Sequence, residues 1–377
     1  MPDALPLPPL FRAYPELGAS LPWEPLGVFP TPVRRLKEVG CANLWIKHDD
    51  QSSPVYGGNK VRKLEFIMAQ ARHRRKTHVV TLGGIGTNHG LATAIYCRQL
   101  GLACTLVLFP QPVTSLVKQN LRLFTYYHAH PVYRSSLFRA VCAYYLTMRL
   151  RYPGAYFLYA GGSNATGTLG FVNAAFELKA QIDAGQMPLP AVIFCPVGSN
   201  GTLAGLTLGA HLAGLKTTVV GVRVSFSHCG PFQTCTSGTV RRLMSQTLQR
   251  LRERIPALNS VVPPEPVLWH DYVGAGYGFP TRQGQSACHL LKEREGIVLD
   301  PTYTAKTFAA VLDYCRRQDS RSDPVLYWHT YNSVDLAHQA QTIAARQLPK
   351  PLQQFIVADE TENQLPLEVD HDQAQGL

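Results

Sequence analysis

Short unbroken apolar runs alternate along this chain with longer stretches in which apolar residues recur every three or four positions. The runs at 44–47, 78–82, 104–109, 156–159, 191–195, 218–224 and 325–328 have the length and β-branched or aromatic content of buried strands. Between them, helical spacing appears at Leu64, Ile67, Met68 and Ala71, then over 91–100, 114–150, 171–182 and 240–254. Repeated alternation of strand and helix predicts an α/β fold of mainly parallel sheets flanked by helices. Residues 1–40 break the pattern. They are rich in proline, as in Phe29-Pro30-Thr31-Pro32-Val33, and read as an extended arm wrapped on a domain.

Most strand-to-helix junctions are made of small and polar residues. Gly57-Gly58-Asn59-Lys60 delivers a lysine to the start of a helix, where the positive end of the helix dipole depresses its pKa and favours amine chemistry. Gly83-Gly84-Ile85-Gly86-Thr87-Asn88-His89 follows the next strand and offers free N–H groups to an anion. A dinucleotide fingerprint also needs an acid after the following strand. That strand ends in Pro110-Gln111, which weakens a nicotinamide reading. A further glycine loop lies at 161–170. The best phosphate cradle is Val197-Gly198-Ser199-Asn200-Gly201-Thr202, which lacks the Gly-Lys-Ser/Thr ending of a nucleoside triphosphate loop. Tyr277 and Tyr303 stand at later turns, and His329-Thr330-Tyr331-Asn332 ends the last strand.

Composition narrows the class. With 377 residues, 45% hydrophobic and 16% charged, the chain can bury two sizeable cores. No run reaches the roughly 18 apolar residues of a membrane span; 140–159 is broken by Arg149, Arg151 and Pro153. The nine cysteines are irregularly spaced without a Cys-x-x-Cys pair, so they read as reduced thiols, with no metal site, in a cytoplasmic protein. Formal charge is +11 although six acids follow Lys350. Arg72, Arg74, Arg75 and Lys76 form a basic cluster, but they end a helix, where cations suit the dipole, and no nucleic-acid module accompanies them. An anionic small ligand accounts for part of the charge, and nucleic acid is not expected as a partner.

Five motifs, in order, carry a resemblance: GGNKVRKLE at 57–65, GGIGTNHGLATA at 83–94, GGSNATGTLGF at 161–171, GSNGTLAGL at 198–206, and GYGFPT with LDPTYTAK at 276–281 and 299–306. Together the chain resembles the fold-type II pyridoxal-phosphate enzymes, the tryptophan synthase β-subunit-like fold. Within them it resembles the family of D-cysteine desulfhydrase and 1-aminocyclopropane-1-carboxylate deaminase. The resemblance implies pyridoxal 5'-phosphate as cofactor and Lys60 as the Schiff-base lysine. It implies Asn59, Asn88, Val197, Gly198, Ser199, Asn200, Gly201 and Thr202 around the cofactor, with Thr304 or Thr330 at its pyridine nitrogen. Thr87, Asn88 and His89 would receive the carboxylate of a small amino-acid substrate, with Tyr277 and Tyr303 flanking it. It also implies a homodimer.

Thr304 and Thr330 stand where the deaminases carry glutamate and leucine, so this chain resembles the desulfhydrase branch, which releases sulfide, pyruvate and ammonia from D-cysteine. It departs from the family at Asn200, at Gly86-Thr87, and most at Tyr331-Asn332, where the family has two glycines. A deaminase, another β-eliminating enzyme such as a cysteate lyase, and a non-catalytic cofactor-binding protein are the alternatives. The expected organisation is a large cofactor domain from 1–64 and 166–345, a small inserted domain at 65–165, and an acidic tail at 346–377.

Overall fold

The computed structural model describes residues 7–229, 232–317 and 323–362, the side chains of 229, 232 and 357–362 excepted. Its strands are β1 (Val33–Arg35), β2 (Leu44–His48), β3 (His78–Gly84), β4 (Ala103–Phe109), β5 (His130–Tyr133), β6 (Tyr156–Leu158), β7 (Val192–Val197), β8 (Thr218–Arg223), β9 (His228–Cys229), β10 (Phe232–Gln233), β11 (Val267–Trp269) and β12 (Val325–His329). One sheet has six strands in the order β1-β2-β12-β7-β8-β11; the other has four, in the order β5-β4-β3-β6. All neighbours in both are parallel except the edge pair β1–β2. Strand–helix–strand crossovers impose this: they return the chain to the same end of the sheet and cover both faces with helices.

The helix Asn59–His73 is buried on nearly every side because it sits between two cores. Phe66 belongs to the core of the large sheet with Phe171, Val197 and Trp328. Val61, Leu64, Ile67, Met68 and Ala71 join the core of the small sheet. The first helical turn is therefore fixed relative to both sheets. The amino-terminal arm buries Leu10, Phe11, Leu17 and Leu21 against the large core.

Three expectations need correction. The stretch 114–150 is not helical throughout: β5 interrupts it, a four-residue edge strand containing Pro131, which hides a strand signal because it removes the alternation. Residues 348–356 do not behave as a solvated tail, since Leu348, Leu352 and Ile356 are buried in the small-sheet core and Phe355 meets Tyr133 edge to face. Glu368, Asp370 and Asp372 lie outside the described residues. Finally, Cys41 and Cys315 form a disulfide, with Cα atoms 5.8 Å apart, across a sequence separation of 274 residues. No local spacing betrays such a pair, and the cysteines no longer argue for a reducing compartment. Among the described residues, no helix is long and apolar enough to cross a membrane.

Candidate active site

Both sheets turn their carboxyl ends toward one cleft, where ligands of open α/β sheets collect. The large sheet supplies Lys60 after β2, residues 198–202 after β7 and Thr330 after β12. The small sheet supplies Thr87, Asn88 and His89 after β3, and residues 161–163 after β6.

Gly58 sets the position of Lys60. Its φ of +88° suits glycine, and a Cβ there would lie 2.8 Å from the Thr330 carbonyl oxygen. That carbonyl accepts the Asn59 N–H at 3.1 Å, so β12 anchors the helix start. Lys60 is the second residue of the helix and part-buried, and it has no hydrogen-bond partner among the described residues. Burial pushes its ammonium down to about 8, against the opposing pull of the Asp300 carboxylate.

One turn later, Lys63 lies beneath the phosphate cradle. Its Nζ donates to the Gly161 carbonyl and to Ser163 Oγ, both at 3.1 Å. Ser163 Oγ donates to Ser199 Oγ at 2.9 Å and accepts the Gly201 N–H at 3.1 Å. A Cβ on Gly201 would stand 2.6 Å from Ser163 Oγ and 2.8 Å from Lys63 Nζ, so only glycine fits. Burial, and after it the neighbouring Lys60, lower the Lys63 pKa well below its ordinary value. Hydroxyls, a helix N-terminus and a buried cation without a carboxylate partner suit a phosphate monoester.

Asn200 adopts φ +68°, the conformation for which the family uses glycine. Its side chain turns away from the cradle: Nδ2 donates to the Thr234 carbonyl at 2.7 Å and to Thr239 Oγ1 at 3.1 Å. Asn59 Nδ2 donates to Thr202 Oγ1 at 3.2 Å, joining the lysine helix to the cradle.

Thr87 caps the helix Asn88–Gln99, its Oγ1 accepting the Gly90 N–H at 3.1 Å. The first N–H groups of that helix are left without intrahelical partners. Asn120 Nδ2 donates to the Gly86 carbonyl at 2.9 Å and to Asn88 Oδ1 at 3.1 Å. The Asn88 amide is thereby oriented with its NH₂ as the free end. Thr81 donates its one proton to the Leu158 carbonyl at 2.9 Å and so accepts from His89 Nε2 at 2.9 Å. His89 Nδ1 is then a buried acceptor without a partner among the described residues. Burial, with Lys60 and Lys63 nearby, keeps the imidazole neutral by lowering its pKa well below the usual value.

Tyr277 and Tyr303 meet hydroxyl to hydroxyl at 2.6 Å. Burial raises both phenols, Tyr303 well above the ordinary value. The Tyr277 loop is tied down by Lys306 Nζ, which donates to the carbonyls of Val273 at 2.6 Å and Gly276 at 3.1 Å. Asp300 accepts the N–H groups of Thr302, Tyr303 and Thr304 and the Thr304 hydroxyl, the last at 2.7 Å. The Thr304 proton is therefore committed, whereas the Thr330 hydroxyl has no partner among the described residues. Tyr331 and Asn332 line a cavity of ≈ 670 Å³ together with Tyr56, Asn88 and Asn120. Asn332 Oδ1 accepts the Gly57 N–H at 2.7 Å, so this side chain braces the lysine loop.

Sequence reasoning missed Lys63, Ser163, Asn120, Thr81 and Asp300. Lys63 and Ser163 lay inside recognised motifs and were legible as extra donors. Asn120 and Thr81 sit in unremarkable helix and strand and gave no signal.

A part-buried lysine and a glycine loop with a buried cation beneath it are features that suit a pyridoxal-phosphate site, and the family model "Pyridoxal-phosphate dependent enzyme" matches residues 25–330. The chain belongs to this family. It is 33% identical to D-cysteine desulfhydrase of Serratia proteamaculans over 328 residues, covering 83% of this chain and 92% of that one. It is 34% identical to the Yersinia enterocolitica protein of the same name over 306 residues, covering 78% and 88%. A solved structure described as an ACC deaminase homologue matches with TM-score 0.73 and 27% identity over 89% of this chain and 98% of that one. Threonine deaminase isoform 2 of Solanum lycopersicum shares the fold, at TM-score 0.59 and 14% identity over 89% and 88%. The cofactor is pyridoxal phosphate, and the fold is fold-type II.

Proposed function

We propose that this protein is a D-cysteine desulfhydrase-like lyase that converts D-cysteine to sulfide, pyruvate and ammonia. The observation that carries this reading is Lys60: a part-buried amine with a pKa near 8, with no partner of its own, on the helix whose next turn carries the phosphate donor Lys63. The two relatives named D-cysteine desulfhydrase support the choice of substrate.

The cradle of Gly198, Ser199, Gly201 and Thr202, with Ser163 and Lys63 behind it, would hold the phosphate. Asn88, with its NH₂ as the free end, and Thr330, whose hydroxyl has no partner among the described residues, would be the groups available to the cofactor's ring oxygen and nitrogen. Bound there, the ring supplies an electron sink for the pair released with the Cα proton.

Lys60 takes that proton, its depressed pKa of about 8 leaving a larger neutral fraction near physiological pH than an ordinary lysine has. Thr87 and the free N–H groups of Asn88 and His89 bind the substrate carboxylate. The His89 ring has its N–H on Thr81 and contributes only an acceptor. Burial keeps Tyr277 and Tyr303 as neutral phenols; one hydroxyl donates to the other, and the accepting hydroxyl keeps its own proton free to hydrogen-bond to the sulfur as it leaves Cβ. The neutral Thr304, where the deaminases carry glutamate, favours this elimination over ring opening of a cyclopropane amino acid.

The deciding experiment is the visible absorption spectrum of the purified protein and of Lys60→Ala, before and after D-cysteine, with pyruvate and sulfide measured. A Lys60-dependent band that shifts on adding D-cysteine, followed by both products, is expected. A band that ignores D-cysteine sinks the substrate assignment and redirects it to other β-substituted amino acids; no band after incubation with the cofactor sinks the role of Lys60.

A further inference from the structure

The small-sheet region carries a surface that the active site does not use. Residues 66–176 hold eleven lysines and arginines and not one aspartate or glutamate. Within them, the segment from Leu137 to Arg151 is a continuous helix lying on the small sheet. Ala140, Tyr144 and Met148 face that sheet at 0%, 3% and 1% exposure. Phe138, Leu146 and Leu150 are exposed at 76%, 64% and 84%, and Cys142, between them, is part-exposed.

Both rows have a four-residue spacing. An α-helix of 3.6 residues per turn would spread such rows around its surface. Here Ala143–Thr147 forms a π turn, which holds about 4.4 residues and rotates the rows back into line. The wide turn thus keeps one stripe buried and presents Phe138, Cys142, Leu146 and Leu150 as a single apolar ridge. Arg139 and Arg151 are exposed on this helix, as is Arg149, whose guanidinium lies 4.6 Å above the Phe157 ring. None of the three is paired with a carboxylate among the described residues.

We propose that this ridge seats the protein on an anionic lipid surface, the apolar side chains entering the interface and the arginines meeting phosphate headgroups. A second copy of the chain is a poor occupant, because symmetric docking of this face sets Arg139, Arg149 and Arg151 against their own copies, and no carboxylate on this helix offsets them. Nucleic acid offers phosphates but nothing for Leu146 and Leu150, which cannot stack on bases.

The test is co-sedimentation of the whole chain, loaded with cofactor, with vesicles of phosphatidylcholine and phosphatidylglycerol in equal parts. The protein is expected to pellet at low salt, and to stay in solution with vesicles of phosphatidylcholine alone. The joint substitution Phe138→Ser, Leu146→Ser and Leu150→Ser is expected to weaken binding more than about tenfold while leaving turnover unchanged. Arg139→Gln and Arg151→Gln should each weaken it about fivefold and flatten its salt dependence. Leu146→Trp should show a blue-shifted emission on anionic vesicles. The proposal is overturned if the unaltered protein stays in the supernatant, if the serine variant binds as tightly as the original, or if that variant instead loses a dimer in sedimentation velocity.

Discussion

Arg62 and Lys63 are consecutive residues on one buried helix, yet their surroundings are opposites. The Arg62 guanidinium donates to Asp49 at 2.9 and 2.7 Å, to Glu177 at 2.8 and 2.9 Å and to Thr31 at 3.0 Å. Lys47 completes the cluster at 2.6 Å from Glu177, and Trp328 donates to Asp49 at 2.7 Å. Two cations thus face two carboxylates. Burial works to raise the Glu177 carboxyl, but Arg62 and Lys47 outweigh it and hold it at about 2. Lys63 has only neutral oxygens, and Lys60 has none. The difference separates framework from site: a buried cation that the protein neutralises holds the fold together, and one that it leaves open awaits a charge from outside.

Lys60 is the open cation whose loss should cost the most. Lys60→Ala should abolish the visible band and lower turnover by about 10²–10⁴-fold or more, read by absorbance and pyruvate release. On the paired side, Glu177→Gln leaves Arg62 and Lys47 short of a charge in a site closed to water. The expected loss is on the order of 3–5 kcal/mol in urea unfolding of the apoprotein. A loss under about 1 kcal/mol would show that the cluster is less tightly coupled than its geometry indicates.

Lys63→Met sharpens the contrast because its sign differs. Removing a buried, unpaired ammonium should leave the apoprotein as stable or stabilise it. Losing a charge-assisted bond to phosphate should raise the dissociation constant of pyridoxal phosphate about 10- to 100-fold, measured by equilibrium dialysis. If the apoprotein were destabilised as much as by Glu177→Gln, Lys63 would belong to the framework instead.

Much of this division was legible in the chain. Strand and helix alternation gave the parallel sheets, and the small-residue junctions located Lys60, the cradle and the Tyr277–Tyr303 pair, because close backbone approach demands particular residue types. The paired cluster was not legible. Lys47, Asp49, Arg62 and Glu177 come from four elements, Glu177 lies 115 residues beyond Arg62, and each reads alone as a surface charge. The Cys41–Cys315 disulfide was hidden for the same reason. Asn200 and Asn332 looked like defects in glycine motifs, and both have structural work: one reaches Thr234 and Thr239, the other braces Gly57. Side chains that replace glycine are interpretable only once their partners are known.

The smallest expected effect is on the pH dependence of the apoprotein, where the two sides respond at opposite ends of the scale. The Glu177 carboxyl has a folded pKa near 2 against an ordinary 4.5, so its contribution is complete above about pH 5 and fades as pH falls toward 2. Lys60 has a folded pKa near 8 against 10.5. Between these values the unfolded chain binds the proton more strongly, so stability should rise with pH through that window, and below 8 the folded state carries the full burden of a buried charge. Lys60→Met should reduce the alkaline rise, to which the lowered Lys63 also contributes, and leave the acid limb intact; Glu177→Gln should do the reverse, weakening the acid limb. Urea midpoints across both windows measure this. A rise undiminished in Lys60→Met but lost in Lys63→Met would assign it to Lys63, the neighbouring open cation.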